Sequence, residues 1–156
     1  MLSALIDPSD IVVRLESSEK EECFAELLEV IVAKNPGLNR NEVMNDLMDR
    51  EDKKSTAIYP YIAVPHGVCS SIKKTAIAIG ISRKGIDFEP VESADSPTNP
   101  KVNVIFEILF EQEDTGTHLH LLRDILQLVG QPDFVEKMLQ LNTAQEVYEL
   151  IASMEL

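Results

Sequence analysis

The stretch KVNVIFEILF, residues 101–110, is the strongest strand candidate in the chain. Its nearly unbroken apolar character is typical of a strand that is covered on both faces. We therefore predict that it lies centrally in a β-sheet. The stretches TAIAIGIS, residues 75–82, and DIVVRL, residues 10–15, predict two further strands.

The segment between the two longer strands predicts a turn followed by a loop. RKGIDF, residues 83–88, has the pattern of a hairpin with Gly85 at its turn. EPVESADSPTNP, residues 89–100, holds three prolines and shows no periodicity, so it predicts the most mobile loop of the chain.

Apolar spacing and cap residues predict five helices. Ser18 and Glu21 stand at the spacing of a capping box at the start of the first helix. The second helix starts at Asn39, three residues before Glu42. The predicted helical stretches are 17–34, 39–51, 117–130, 132–140 and 143–154.

The order of these elements predicts the fold class. Thr143 and Glu146 repeat the capping-box spacing at the last helix. Helices that flank a few strands, partly in β-α order, predict an α/β sandwich with a mixed sheet. The length of 156 residues predicts a single domain that spans residues 1–156.

The charge of the chain limits the classes of partner. A formal net charge of -13 argues against nucleic acid or an anionic membrane as the main partner, because phosphate groups attract Lys and Arg. An acidic surface is compatible with attraction to a basic patch on another protein, and equally with simple solubility.

The sequence also predicts a cytoplasmic setting without membrane insertion. Cys23 and Cys69 form no C-x-x-C and indicate no disulfide framework. The N-terminal stretch MLSALIDPSD lacks the basic and apolar regions of a signal peptide. No apolar run reaches the roughly 18 residues that a membrane-spanning helix needs.

The stretch YIAVPHGVCS, residues 61–70, places a histidine between a proline and a glycine. Pro65 fixes its own φ and biases Val64 towards extended backbone, so the chain approaches His66 stiffly. Gly67 has no Cβ, which allows a partner to approach the backbone or the chain to turn sharply. The pattern suits an imidazole held at a strand-to-loop edge, but the spacing alone favours the other interpretation, a surface turn with an incidental histidine.

The other two histidines fall on different faces of the predicted helix 117–130. His118 shares a face with Leu121, Leu122 and Ile125, so it points towards the core or a pocket, whereas His120 points towards water. His118 also lies in the first helical turn, where the helix dipole disfavours imidazolium and favours anions. Taken by itself, however, the position of His118 favours a core-edge histidine satisfied by hydrogen bonds.

Arg50 continues the apolar stripe of the second helix. Positions 43, 47 and 50 share a face, which places Arg50 after Val43 and Leu47. A guanidinium at the rim of a buried face suits pairing with an oxyanion. A cation that simply balances the helix dipole is the competing interpretation.

A metal site is the rival use of three histidines. On a helix the rings of His118 and His120 diverge, and no H-E-x-x-H or C-x-x-C accompanies them. The chain also lacks a Walker sequence, G-x-G-x-x-G and G-x-S-x-G. We therefore expect neither a metal nor a nucleotide cofactor, and we rank a metalloenzyme below phosphate chemistry.

Five stretches in order, MDRED, IAVPHG, GISRKGIDF, VNVIFEILF and THLHLLRDIL, carry a family resemblance. The chain resembles the fructose–mannitol class of phosphotransferase-system enzyme IIA domains, and most closely their nitrogen-related regulatory subgroup. The resemblance implies a mixed sheet with helices on both sides. It implies that His66 accepts a phosphoryl group from a histidine-containing phosphocarrier protein. It also implies that His118 is the second active-site histidine and that Arg50 is the active-site arginine.

The resemblance implies a mechanism without metal or nucleotide. Neutral His66 would attack the incoming phosphoryl group in line, His118 would contact the phosphoryl oxygens or orient the ring, and Arg50 would offset their charge. The expected role is a regulatory phosphocarrier that acts on target proteins. The alternatives are a sugar-specific IIA that passes phosphate to a IIB partner and a module of the same fold without phosphotransfer.

The sequence departs from the family pattern just before the histidine motif. That loop usually bears glycine, whereas here it reads STAIYPYIAVPHG, with Tyr59, Pro60 and Tyr61. The stretch VESADSPTNP, residues 91–100, is also longer than the usual connection. Both departures concern loop shape and partner identity.

Overall fold

The computed structural model describes residues 1–88 and 101–155. Two short 3₁₀ turns, Leu2–Ala4 and Pro8–Asp10, precede the first strand. The strands are β1 (Ile11–Val12), β2 (Ile62–Ala63), β3 (His66–Cys69), β4 (Ala76–Ile86) and β5 (Val102–Glu111). The helices are α1 (Lys20–Lys34), α2 (Arg40–Lys53), α3 (Thr115–Val129), α4 (Phe134–Leu139) and α5 (Ala144–Met154).

Strand β5 is the centre of a mixed sheet, as its apolar sequence predicts. It pairs antiparallel with β4 along one edge, and β4 pairs parallel with β1. Along its other edge β5 pairs in parallel with β2 and then with β3. The sheet order is therefore β1-β4-β5, with β2 and β3 following one another beside β5.

Helices cover both faces of the sheet, which confirms the predicted fold class. Alternate residues of β5 enter two separate clusters because neighbouring side chains of a strand point to opposite faces. Phe106 and Ile108 join the cluster with α3, α4 and α5, whereas Ile105 and Leu109 join the cluster with α1 and α2.

Two of the three predicted cap arrangements are confirmed. The Asn39 side chain accepts a hydrogen bond from the Glu42 N–H at 3.1 Å, and Thr143 with Glu146 forms a reciprocal capping box. The predicted capping box of Ser18 is wrong, since α1 begins at Lys20. The Ser18 carbonyl instead accepts a hydrogen bond from the Asp87 N–H, which holds this segment extended beside the end of β4.

The predicted hairpin at Gly85 is wrong because β4 continues to Ile86. The pairing shifts between Ile81, which lies opposite Val104, and Ile86, which lies opposite Val102. Gly85 has a φ of +88° within this irregularity, and an added Cβ would lie 2.5 Å from the Lys101 Cβ. The irregularity in the strand pairing, and not a hairpin turn, therefore requires glycine at this position. The loop predicted at 89–100 lies outside the described residues.

The core facing α1 and α2 contains one carboxyl group without a partner. Glu107 of β5 is completely buried, and neither of its carboxylate oxygens has a hydrogen-bond partner among the described residues. Burial raises the pKa of Glu107 well above its usual value. Nearby, burial and the charge of Glu107 raise the pKa of the Cys23 thiol. Burial thus favours the neutral form of Glu107 in the folded chain.

No helix among residues 1–88 and 101–155 combines the length and apolar character needed to cross a membrane.

Candidate functional site

The imidazole of His66 is fixed by its own backbone neighbourhood. His66 opens β3 opposite Ile108, whose N–H donates to the Pro65 carbonyl at 2.9 Å. The His66 Nδ1 lies 2.8 Å from the Val64 carbonyl oxygen. A carbonyl can only accept, so Nδ1 carries the proton. In the neutral ring the lone pair is therefore on Nε2.

His66 is held in its neutral form at pH 7. Burial lowers the pKa of His66 below its ordinary value, against the effect of the hydrogen bond to Val64. The charges of Arg50 and His118 lower this pKa further, while the Glu51 carboxylate acts in the opposite direction. A neutral imidazole with a free Nε2 is the nucleophilic form of histidine.

Helix α3 brings His118 to His66, and His118 is more buried than His120, as the face pattern predicts. The Asp114 side chain caps α3 by accepting from the Thr117 N–H at 3.0 Å, which places His118 in the first turn. The centroids of the His66 and His118 rings are 6.0 Å apart, and their planes are inclined at 74°. His118 is partly buried, whereas His120 is exposed.

A phenylalanine that sequence reasoning missed supports the second histidine. Phe110 is fully buried and stacks on His118 with centroids 3.8 Å apart and planes at 10°. It also meets the His66 ring edge-on at 5.9 Å. Phe110 lies two residues after Ile108, the register partner of His66, so both side chains share a face. Strand alternation would have identified Phe110 once that register was known.

Arg50 lies in the last turn of α2, on the stripe predicted with Val43 and Leu47, both of which are buried. Its Nη1 donates to the Lys54 carbonyl at 2.8 Å. Within the described residues no carboxylate lies at ion-pair distance from Arg50, so its charge is available to an anion. Its effect on the pKa of His66 shows that this charge acts at the candidate site.

A second residue that the sequence did not indicate, Glu51, ties the arginine to the histidine segment. Glu51 is buried and accepts from the Thr56 N–H at 3.1 Å and from the Thr56 Oγ1 at 2.6 Å. The Thr56 carbonyl in turn accepts from the Val64 N–H at 2.9 Å. The end of α2 is therefore linked by hydrogen bonds to the backbone that orients His66.

Gly67 does not make the sharp turn that was one of its two predicted roles. It continues β3, and an added Cβ would make only ordinary contacts with Asp46 and Leu47, at 3.8 and 3.9 Å. The strand carries on to Val68, which is 50% exposed on the His66 face. Leu119, beside His118, is 71% exposed. Exposed apolar side chains thus flank both imidazoles.

The arrangement suits a protein partner that delivers a group to Nε2. Within residues 1–88 and 101–155, no cluster of three or more His, Cys, Asp or Glu side chains could hold a metal ion. Cys69, at the end of β3, is buried and contacts the Ser71 hydroxyl at 3.3 Å. The groups that remain for chemistry are the two imidazoles and the guanidinium.

Known proteins resemble this chain over nearly its full length. The PTS system fructose-specific EIIABC component of Bacillus subtilis is 25% identical over 150 residues, which cover 96% of this chain and 23% of that relative. The chain thus spans about a quarter of the length of that protein. The crystal structure of the nitrogen regulatory protein IIA-Ntr from Neisseria meningitidis superposes with a TM-score of 0.82 at 25% identity, covering 96% of this chain and 98% of that one.

A second solved structure shares the fold. It is the Escherichia coli complex of enzyme IIAMTL and phosphorylated enzyme IIBMTL, with a TM-score of 0.74 at 20% identity, covering 95% of this chain and 97% of that one. The family model described as "Phosphoenolpyruvate-dependent sugar phosphotransferase system, EIIA 2" matches residues 4–154. The chain therefore belongs to the EIIA 2 family of the phosphoenolpyruvate-dependent sugar phosphotransferase system.

Proposed function

We propose that the protein is a phosphocarrier that accepts a phosphoryl group on Nε2 of His66 from a phosphohistidine carrier protein. The observation that carries this proposal is the hydrogen bond from Nδ1–H to the Val64 carbonyl, which leaves the lone pair on Nε2. The lowered pKa of His66 keeps this lone pair available at pH 7. The exposed Val68 and Leu119 offer a partner protein an apolar contact on either side.

The transfer needs no proton abstraction. Nε2 attacks phosphorus in line as the N–P bond of the donor breaks, and the donor nitrogen keeps the bonding electron pair. The Nδ1 proton stays on His66 and continues to bind the Val64 carbonyl. Arg50 and His118 offset the charge of the phosphoryl oxygens, so positioning and charge stabilisation supply the catalysis.

We propose that the phosphorylated protein acts chiefly in regulation. The close superposition on a nitrogen regulatory protein over 96% of this chain supports this role. A second candidate is delivery to a IIB partner in sugar uptake, which the fructose-specific relative and the mannitol IIA–IIB complex support. In that case a second protein would remove the phosphoryl group from the same nitrogen.

The test is phosphoryl uptake from a purified, phosphorylated histidine-containing carrier protein. We expect one acid-labile, base-stable phosphate per chain, located on His66 by mass spectrometry of fragments. Subsequent addition of IIB domains of fructose or mannitol type separates the two roles, because only a sugar-specific IIA would lose its label. Absence of any label would leave an interaction module of the same fold and would refute the proposal.

We expect His118→Gln to slow phosphoryl uptake about 10- to 100-fold while the final amount of label stays the same. His118 sits beside the acceptor but is not the acceptor, so its loss affects the rate and not the capacity. His118→Phe is the matched variant because it can keep the stack on Phe110 without a hydrogen-bonding nitrogen. Rapid-quench kinetics of both variants decide whether His118 contacts the phosphoryl group or only packs against Phe110. A His118→Phe rate equal to wild type would mean that His118 only packs.

A further inference from the structure

Two tyrosines shortly before the histidine strand line a cleft away from the histidines. One wall of this cleft is Tyr59, Pro60 and Tyr61, and the other is formed by residues 129–136 between α3 and α4. Its volume is about 270 Å³. The name aromatic cleft is used below for this space.

The aromatic cleft is built on a backbone that opposes the intrinsic preference of its residues. Tyr61 has a φ of 69° and Asp133 a φ of 62°, and both line the cleft. A bulky residue seldom adopts positive φ. The Tyr61 carbonyl accepts from the Asn103 and Val104 N–H groups at 2.8 and 3.1 Å, and the Ile62 N–H donates to Tyr59 at 3.0 Å. These bonds hold the tyrosine in place.

The rings are presented to solvent rather than to the core. Tyr59 is 42% exposed and Tyr61 is 46% exposed, and Pro60 and Pro132 beside them are exposed as well. A rigid loop that keeps two aromatic rings half in water gains little from them in packing. Exposed tyrosines on fixed backbone are typical of surfaces that recognise another molecule.

The charges of the aromatic cleft select a cation. Asp133 and Glu136 are exposed carboxylates that line it, and no Lys or Arg is among its lining residues. Neither carboxylate has an ion-pair partner within the part of the chain that the structure describes, and the neighbouring Lys137 lies outside the lining. The net charge of -13 adds a long-range attraction for basic partners. Tyrosine faces also attract guanidinium and ammonium groups.

The aromatic cleft is separate from the histidine pair. Tyr61 binds Val104 on β5, whereas His66 lies opposite Ile108, four residues further on and thus about 13 Å along the strand. Along α3, His118 and Val129 are separated by about 16 Å. One partner can therefore contact the aromatic cleft while the imidazoles stay open.

We propose that the aromatic cleft is a second binding site, which takes an arginine- or lysine-bearing segment of a partner protein. The basic side chain lies against the tyrosine rings and pairs with Asp133 and Glu136. This inference does not depend on phosphotransfer by His66, and it assigns a role to Tyr59 and Tyr61, which the histidine site does not use.

The test is an NMR titration of the ¹⁵N-labelled full chain with the peptide acetyl-Gly-Arg-Gly-Arg-Gly-amide. A peptide with citrulline in place of each arginine is the uncharged counterpart. We expect the arginine peptide to shift the backbone amides of the non-proline residues in 59–62 and 129–136, and the citrulline peptide to bind at least fivefold more weakly. No shifts at millimolar peptide, shifts centred on the histidine pair, or equal binding of both peptides would overturn the proposal.

Two variants test the walls of the aromatic cleft. Tyr61→Gly removes one ring but suits positive φ, so it should fold well and bind at least fivefold more weakly. Asp133→Asn with Glu136→Gln removes two charges, and asparagine tolerates the backbone at position 133.

The matched control is Glu21→Gln with Glu22→Gln, which removes two exposed charges from α1. We expect this control to bind the arginine peptide within twofold of wild type. Equal weakening in the control and in the Asp133/Glu136 variant would show general attraction to an acidic protein, which contradicts the proposal. His66→Ala should bind the peptide as wild type does, so failure of phosphotransfer and failure of this site are distinguishable.

Discussion

His66→Ala is expected to abolish phosphoryl uptake, lowering its rate by about 10³-fold or more. The variant loses an oriented imidazole: Nδ1 of His66 is bound to the Val64 carbonyl, and Nε2 is left for attack. His118 is held differently, since its ring stacks on Phe110 and is inclined at 74° to that of His66. Labelling from a phosphorylated carrier protein, followed to completion, measures the loss.

His120→Ala is the matched control for this experiment. It removes an imidazole from the exposed side of α3 and leaves both His66 and His118 in place. We expect this variant to take up phosphate at the wild-type rate. Residual acid-labile label on His66→Ala above one part in a hundred would place the acceptor elsewhere and contradict the assignment.

The second large effect concerns stability. Glu107→Gln is expected to raise the free energy of unfolding relative to wild type by an amount that grows as the pH rises above about 4.5. The pKa of Glu107 is raised in the folded state, so between the unfolded and folded pKa values the folded chain binds one more proton than the unfolded chain. Wild type therefore loses about 1.4 kcal/mol of stability per pH unit in this window.

Glutamine is uncharged in both states and lacks this slope. Urea unfolding at pH 5, 6 and 7 should show a stability difference between variant and wild type that widens with pH, by up to about 1.4 kcal/mol per pH unit, until the pH passes the raised pKa of Glu107. Glu21→Gln, at an exposed position of α1, is the control and should follow wild type at each pH. A difference that stays constant from pH 5 to pH 7 would mean that Glu107 does not keep its proton on folding.

Local periodicity was enough to predict the principal features of the site. The apolar run of β5 placed this strand centrally, and helical spacing separated His118 from the exposed His120. The stripe through Val43 and Leu47 placed Arg50 at the end of α2. These predictions succeeded because each depends on residues within one element. The catalytic roles of the three side chains, and a single domain over residues 1–156, stay predictions.

Features that depend on pairing between distant segments could not be predicted. Phe110 enters the site through a register between β3 and β5 that no local pattern specifies. Ser18 fails as a cap because Asp87, far along the chain, binds its carbonyl. Gly85 has the sequence of a turn, yet the strand continues past it. In each case a tertiary contact overrides a local signal.

The Thr56 N–H donates to the Glu51 carboxylate and the Val64 N–H donates to the Thr56 carbonyl, so the backbone that orients His66 is fixed before any partner arrives. The surroundings of a phosphoryl group on Nε2 would thus be preorganised, and phosphorylation would require little rearrangement of the fold. Phosphorylation would then change the charge of the surface by adding an anionic group near the exposed apolar side chains of Val68 and Leu119. A partner protein could distinguish the phosphorylated from the unphosphorylated state by electrostatics alone, without a conformational change.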